Sequence, residues 1–354
     1  YMTALPEWVN TFNARKLPQS YLSKDWETLL PIDQYTESIA DDNKYEATYA
    51  GEDKPVFPHH LPLLMDKNGK LGMIRATPFG NSLTREFAQA TILGENLGKG
   101  SATDFLCVSF SSTDYIGHQF GPNSVEVEDC YLRLDKELAE FFSFLDNYLG
   151  KNNTLLFLTA DHGAVENPQY LKDNNIPAGY FSEGKMTDSL KKVMRKIYGD
   201  SLVLCYENDQ VFLDRAGIAK KGLNKSEIEK FTASFIMGFK GVEMCMTASD
   251  LQSNEYTQKP QQLIRNGFNF QRSGDVCVVL QPSWFSEFGK KGTTHGTSWS
   301  YDTHVPMYWW GWKIKNGSSD ALMNITDVAP TVCNFLNIQF PDGCTGQPIT
   351  GMVK

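Results

Sequence analysis

Short apolar runs that alternate with amphipathic helical segments are the feature that most constrains the fold of this 354-residue chain. Residues 105–110 form the first run, residues 155–158 form the second, and an amphipathic segment over 124–149 separates them. Further runs occupy residues 276–280 and 305–310. Strands buried on both faces have this continuous apolar character, and helices between parallel strands serve as crossover connections. The alternation therefore predicts an α/β fold with a central, mostly parallel sheet.

One stretch of the chain departs from this alternation. Within residues 178–262 the pattern changes to the order α-β-β-α-β, with elements predicted over 186–198, 203–213, 226–238 and 242–246. Short strands and helices in this order are typical of a small α+β subdomain. We therefore predict an α/β core formed by residues 1–177 and 263–354, with residues 178–262 as an inserted α+β cap subdomain.

The composition excludes several classes of protein. An apolar content of 41% and a charged content of 21% are typical of a soluble globular protein. The net charge of −9 disfavours nucleic acid or an anionic membrane as a partner, and no apolar run reaches the length of a membrane span. The same charge repels anionic substrates, so a phosphate site in this chain needs local positive charge, which bound divalent ions supply.

The seven cysteines do not decide the redox compartment. They include no Cys-x-x-Cys pair, and their odd number leaves at least one thiol unpaired unless a bond forms between chains. Cys107 and Cys277 lie in apolar runs, and we predict that both are core residues.

The first motif with metal-ligand chemistry follows the first apolar run and reads Ser-Thr-Asp-Tyr-Ile-Gly-His over residues 112–118. If residues 114–118 form a helical turn, Asp114 and His118 lie on one face, where carboxylate and imidazole can bind one borderline divalent ion. The alternative is a loop in which Asp114 caps the turn and His118 is solvated.

The second motif, Thr-Ala-Asp-His-Gly over residues 159–163, follows the second apolar run. Adjacent residues of an extended strand point to opposite faces, so Asp161 and His162 can share a site only where the backbone turns. Gly163 permits such a turn. The alternative is an aspartate that caps the following turn beside an incidental histidine.

The remaining histidines carry less information. His295 lies in a loop rich in glycine and threonine over residues 292–296, where a lone histidine is ordinarily solvated. His304 precedes an apolar run, so it either supports the site by a hydrogen bond or belongs to the core. His59 and His60 lie in a loop flanked by prolines and are predicted to be structural or exposed.

Taken together, the three motifs resemble those of the alkaline phosphatase superfamily, and are most similar to bacterial alkaline phosphatases of the flavobacterial type. Other stretches that match are residues 5–10, 78–81 and 131–135. The resemblance covers nearly the whole chain. It implies a three-layer sandwich with a central, mostly parallel sheet and a small inserted α+β subdomain.

The resemblance also implies a set of ligands and a reaction. Asp114, His118 and His295 would hold one zinc ion, and Asp161 and His162 would hold a second, giving two Zn²⁺ in the intact parent enzyme. That enzyme would hydrolyse small-molecule phosphate monoesters through a phospho-enzyme intermediate. Its location would be periplasmic or secreted, without nucleic acid or a membrane as a partner.

The resemblance assigns no catalytic residue to this chain. The family's nucleophilic Thr or Ser, a further metal-binding Asp and the phosphate-binding Lys and Arg correspond to positions before Tyr1. We therefore expect this chain to be the larger C-terminal part of an enzyme and to be inactive alone. Two alternatives stay open: a phosphodiesterase, phosphonate or sulfate ester hydrolase of the same superfamily, or a non-catalytic metal-binding protein. The oligomeric state is also open.

Overall fold

A computed structural model describes residues 2–286 and 290–352, and the chain divides into two compact units. The first unit comprises residues up to Ala90, Cys107–Leu138 and Asp161–Val305. The second comprises Thr91–Leu106, Ala139–Ala160 and residues from Pro306 onward.

Helices make up much of the described chain, and none of those within residues 2–286 and 290–352 is long and apolar enough to cross a membrane. The α-helices are α1 (Glu7–Ala14), α2 (Leu17–Leu22), α3 (Leu61–Leu64), α4 (Phe79–Gly94), α5 (Ser112–Phe120), α6 (Val125–Leu149), α7 (Pro168–Asp173), α8 (Glu183–Tyr198), α9 (Arg215–Lys220), α10 (Lys225–Ile236), α11 (Ala248–Ser253), α12 (Gln261–Gly267), α13 (Ser300–Thr303) and α14 (Val328–Leu336). The 3₁₀ turns are Ile32–Gln34, Met65–Lys67, Lys70–Ala76 and Ile325–Asp327.

The strands are short and form separate sheets in the two units. They are β1 (Leu155–Thr159), β2 (Gly179–Phe181), β3 (Val203–Glu207), β4 (Gln210–Leu213), β5 (Val242–Thr247), β6 (Val276–Leu280), β7 (Trp284–Ser286) and β8 (Met307–Gly311). In the first unit, β2 pairs with β7 in parallel, and an antiparallel sheet has the order β3-β4-β6-β5. In the second unit, β1 and β8 form an antiparallel pair.

Several predicted elements are confirmed. The amphipathic segment over 124–149 is α6, and the hairpin over 203–213 is the antiparallel pair of β3 and β4. Helix α8 shows why the periodicity is informative, because Met186, Leu190 and Met194 recur every four residues and are at most 1% exposed. Burying one such side chain contributes about 1.5–3 kcal/mol, so this apolar face anchors α8 to the four-stranded sheet.

The first apolar run is not the buried strand that its composition predicts. Residues 105–110 are assigned to no strand, and the Phe105 side chain is 65% exposed. Cys107, predicted to be a core residue, is exposed as well, whereas Cys277 is buried as predicted. A strand exists only with a hydrogen-bonded neighbour, and an apolar run cannot specify that neighbour.

Strand direction also differs from the expectation of a mostly parallel sheet. Among the described strands, β2 and β7 are parallel and the other pairings are antiparallel. Val276–Leu280, one of the apolar runs that predicted the central sheet, is β6 and lies between β4 and β5 in the four-stranded sheet. An apolar run predicts burial, but the direction and identity of a partner strand depend on the whole topology.

Candidate metal centre

Helix α5 displays Asp114 and His118 because its opposite side is fixed in the core. Ile116 and Phe120 are 0% and 1% exposed and pack in the cluster that contains Trp26. Ile116 lies two positions after Asp114, and Phe120 lies two positions after His118. Two positions correspond to a rotation of about 200° around a helix, so the apolar and the ligand-type side chains point in nearly opposite directions. The predicted helical turn is confirmed, and burial of one face directs the other face outward.

The loop that carries His295 lies directly on the C-terminal end of α5. Gly292 has a φ of +68°, and a Cβ atom there would lie 2.0 Å from the His118 carbonyl oxygen. Only glycine combines this conformation with so close an approach. The Thr293 backbone N–H also donates to the His118 carbonyl over 3.3 Å. The sequence Gly-Thr-Thr-His-Gly therefore places His295 against a helix that is distant in the chain.

Asp114, His118 and His295 bring three donor atoms together, and we call these residues the metal-ligand cluster. The His118 and His295 Nε2 atoms are 3.1 Å apart, and each lies 3.4 Å from the Asp114 Oδ1 atom. Two ligands about 2.0 Å from a tetrahedral zinc ion are about 3.3 Å apart. The triangle of donors therefore fits one ion of this kind, and three protein ligands leave a fourth position open.

Hydrogen bonding at His118 and the surroundings of His295 both suit a metal ligand. The His118 Nδ1–H donates to the Thr293 carbonyl oxygen over 2.9 Å, which leaves Nε2 with a free lone pair. Burial and the neighbouring His162 lower the pKa of His295, and they outweigh the opposing effect of Asp114. The neutral form of His295 is thus favoured at neutral pH.

Asp161 and His162 lie beside this cluster but do not complete a second one. The His162 Nε2 atom is 3.6 Å from Asp161 Oδ2 and 4.0 Å from Asp114 Oδ1. Its ring stacks on His295 with centroids 3.4 Å apart and an interplanar angle of 13°. The Asp161 side chain is 89% exposed. Compared with the metal-ligand cluster, Asp161 and His162 therefore offer a second ion fewer donor atoms, and these are less firmly held.

Gly163 is required by a close contact, and its φ does not lie in the left-handed region. A Cβ atom at this position would lie 2.0 Å from the Tyr301 carbonyl oxygen. The Gly163 N–H donates to the Asp302 carbonyl over 2.8 Å, while the Asp302 carboxylate accepts from the Thr297 N–H and hydroxyl. The buried Asp302, absent from the predicted site, therefore supports the loop of Asp161 and His162.

The other histidines lie outside the cluster. His304 is exposed at the end of α13, so neither role predicted for it is observed. His59 is completely buried between Glu52 and Glu126, and His60 is exposed beside Asp25. Both outcomes agree with the prediction of structural or exposed residues.

A comparison with known proteins explains this arrangement. The sequence model of the type I phosphodiesterase / nucleotide pyrophosphatase family matches residues 3–305. The chain belongs to this family, within the alkaline phosphatase superfamily. The predicted superfamily resemblance is confirmed.

Two curated relatives and one solved structure of this family are similar over the entire chain. Alkaline phosphatase PafA from Elizabethkingia meningoseptica is 40% identical over 353 residues, which cover 100% of this chain and 64% of the relative. Alkaline phosphatase PhoV from Synechococcus elongatus is 42% identical over 360 residues, with coverages of 100% and 64%. The crystal structure of wild-type PafA matches with a TM-score of 0.94 and 39% identity, covering 100% of this chain and 68% of that one.

The structural match confirms the alkaline-phosphatase-like α/β fold. The chain spans 64% of the length of each of these two curated relatives.

Proposed function

We propose that the chain forms the metal-binding part of a phosphomonoester hydrolase. The observation that carries the proposal is the convergence of Asp114, His118 and His295, whose donor atoms lie 3.1–3.4 Å apart. The names of two relatives, PafA and PhoV, as alkaline phosphatases support the choice of reaction. Small-molecule phosphate esters are the proposed substrates, and the proposed location, periplasmic or secreted, rests on likeness to these bacterial enzymes alone.

The proposed ligands follow from the donor set. Asp114, His118 and His295 bind one zinc ion, while Asp161 and His162 contribute to a second, weaker site. Mixed nitrogen and oxygen ligands suit zinc, and the lowered pKa of His295 favours its neutral, metal-binding form. Bound divalent ions supply Lewis-acid polarisation of the phosphoryl oxygen and offset the charge of an anionic substrate.

The residues of the chain have defined tasks in this reaction. Thr293 and Gly163 accept the Nδ1–H groups of His118 and His162 on their carbonyl oxygens, which fixes both rings in the tautomer with Nε2 free. The Thr293 hydroxyl is buried and donates to the Val165 carbonyl, so it is not free to act as a nucleophile. A phospho-enzyme intermediate therefore requires a nucleophile other than Thr293.

A phosphodiesterase is the second candidate, because the matching family model is described as type I phosphodiesterase / nucleotide pyrophosphatase. Monoester hydrolysis is preferred because PafA and PhoV, which are 40% and 42% identical to this chain, are named alkaline phosphatases. The metal-ligand cluster alone does not discriminate, since both reactions proceed by displacement at phosphorus.

The discriminating experiment compares esters with one chromogenic leaving group. The protein that contains this chain, at its natural length, would be assayed with p-nitrophenyl phosphate, bis-p-nitrophenyl phosphate and p-nitrophenyl sulfate. We expect the monoester to have the highest kcat/KM, and zinc chelation or His118→Ala to abolish turnover. A higher kcat/KM for the diester or the sulfate would contradict the monoester proposal.

A parallel assay tests the expectation that residues 1–354 are inactive alone. We expect the isolated chain to bind zinc but to turn over the monoester about 10⁴-fold more slowly than the protein of natural length, since deleting a catalytic group has effects of this size. Equal turnover by the two proteins, purified to constant specific activity, would show that the chain contains its own nucleophile.

A further inference from the structure

Asn167 is a buried side chain at the point where the loop of Asp161 and His162 ends. It is 2% exposed and forms the N-cap of α7, where its Oδ1 atom accepts from the Gln169 and Tyr170 N–H groups over 2.9 and 3.4 Å. An asparagine before Pro168 is an ordinary start for a helix. Capping, however, uses only the oxygen of the side-chain amide.

The nitrogen of the same amide holds the loop that leads to His295. The Asn167 Nδ2 atom donates to the Gly292 carbonyl over 3.0 Å and to the Lys290 carbonyl over 3.2 Å. The Tyr45 carbonyl lies 3.5 Å away, and the Gly292 N–H donates to this carbonyl over 2.7 Å. Because α7 presents donors and the loop presents acceptors, only one orientation of the amide satisfies both.

The contacts continue from Asn167 to the metal ligands. Beside the segment that Asn167 holds, the Thr293 carbonyl accepts from the His118 Nδ1–H and the Thr293 hydroxyl donates to the Val165 carbonyl. The Val165 N–H donates to the Thr294 carbonyl over 3.1 Å. The loop of Asp161 and His162 and the loop of His295 are thereby joined to each other and to α5.

We propose that Asn167 is a positioning residue of the metal centre. Its amide nitrogen holds residues 290–292 so that the Thr293 carbonyl meets His118 and keeps Nε2 of that ring directed at Asp114 and His295. This inference rests on the proposed metal centre and goes beyond it, since Asn167 contacts none of the ligands itself. The side-chain oxygen caps α7, and the side-chain nitrogen holds the loop. A substitution can remove the second role and keep the first.

Asn167→Ser is the decisive variant, because serine caps a helix as well as asparagine does but has no amide donors. Asn224→Ser is the control for capping alone, since the exposed Asn224 caps α10 in the same way through the Ser226 and Glu227 N–H groups. Asn167→Asp is a second variant that keeps the cap and turns a carboxylate toward the Gly292 carbonyl. Zinc affinity would be measured by calorimetry, and the stability of the metal-free proteins by urea unfolding.

We expect Asn167→Ser to weaken zinc binding about 10-fold, the scale of effects found for groups that orient metal ligands. Asn167→Asp should weaken it further, and Asn224→Ser should change it less than about twofold because the sites are independent. Asn167→Ser should also lower the unfolding midpoint, because it removes the buried donor of the Gly292 and Lys290 carbonyls, so zinc affinities are compared at a temperature where both variants are fully folded. Equal zinc affinities of the two fully folded serine variants would overturn the proposal.

A spectroscopic measurement separates this failure from failure of the metal centre. Long-range ¹H–¹⁵N NMR of the metal-free chain reports the tautomer of His118, which should be Nδ1–H in the wild type and mixed in Asn167→Ser. If the wild-type chain binds no zinc, the proposed function fails, while the tautomers still test the role of Asn167. An unchanged tautomer in Asn167→Ser would contradict that role.

Discussion

Histidine serves two different purposes in the first unit of this chain. In the metal-ligand cluster, the side chains of His118 and His295 are 38% and 28% exposed and share the Asp114 carboxylate. His59 is 0% exposed, and its ring nitrogens lie 2.8 Å from Glu52 and 3.1 Å from Glu126. We call His59, Glu52 and Glu126 the buried histidine cluster.

The partner of each ring nitrogen explains the difference. Both nitrogens of His59 face carboxylates, so the protonated ring is stabilised and no lone pair remains for a metal. In His118 one nitrogen donates to a backbone carbonyl and the other faces the cluster. Burial opposes protonation of His59, but the hydrogen bonds with Glu126 and Glu52 outweigh it and raise its pKa to about 9. A histidine is thus a candidate ligand only where one nitrogen stays free.

The largest expected effect tests the metal-ligand cluster. His118→Ala removes one of three donors, and we expect the affinity for the first zinc ion to fall about 1,000-fold, or about 4 kcal/mol. Calorimetric titration of the isolated chain would measure this, with His60→Ala as the control because His60 is exposed beside Asp25. If His118→Ala and His60→Ala changed zinc affinity equally, His118 could not be distinguished from a surface histidine as a metal ligand.

An effect of similar size, but on folding, is expected in the buried histidine cluster. His59→Ala leaves the fully buried Glu126 without its partner, and breaking a buried ion pair costs about 3–5 kcal/mol. Urea unfolding of the metal-free chain would give this value. Zinc affinity at a temperature where the variant is folded should not change. A stable variant with weakened zinc binding would contradict the assignment of separate roles.

The same cluster predicts a pH dependence of stability. Because the pKa of His59 is raised on folding to about 9, its contribution is complete below pH 6.5 and is lost as pH rises toward 9. We expect a loss of about 2–3 kcal/mol over this window. The loss should be smaller in His59→Gln, measured by urea unfolding at pH 6.5 and 9. Parallel curves for the two proteins would show that His59 is not the group responsible.

The smallest effect is expected at Asp161. Its side chain is 89% exposed and lies outside the triangle of three donors. Asp161→Asn should therefore change the affinity for the first ion by about 1 kcal/mol or less, as is usual for exposed charges. The second, weaker binding event in the titration should be lost. Loss of the first event instead would mean that Asp161 belongs to the primary site.

Local features of the chain were predictable from the sequence. The four-residue spacing of Asp114 and His118 is a property of any helical turn, and the apolar periodicity that defines α6 and α8 depends only on 3.6 residues per turn. The N-cap signal of Asn167 before Pro168 could have been recognised in the same way. Its second role could not, because the carbonyls that it binds belong to residues more than 120 positions away.

The sequence alone therefore determined the kinds of ligand, their local spacing and, through the order of the three motifs, the superfamily. Only the tertiary structure decided that His295 meets His118 across 177 residues, that residues 105–110 form no strand and that β6 lies between β4 and β5. Helical periodicity and side-chain chemistry are local properties that a few neighbouring residues determine. The partner of a strand or a carbonyl is set by packing of the whole chain, which no short stretch of sequence encodes.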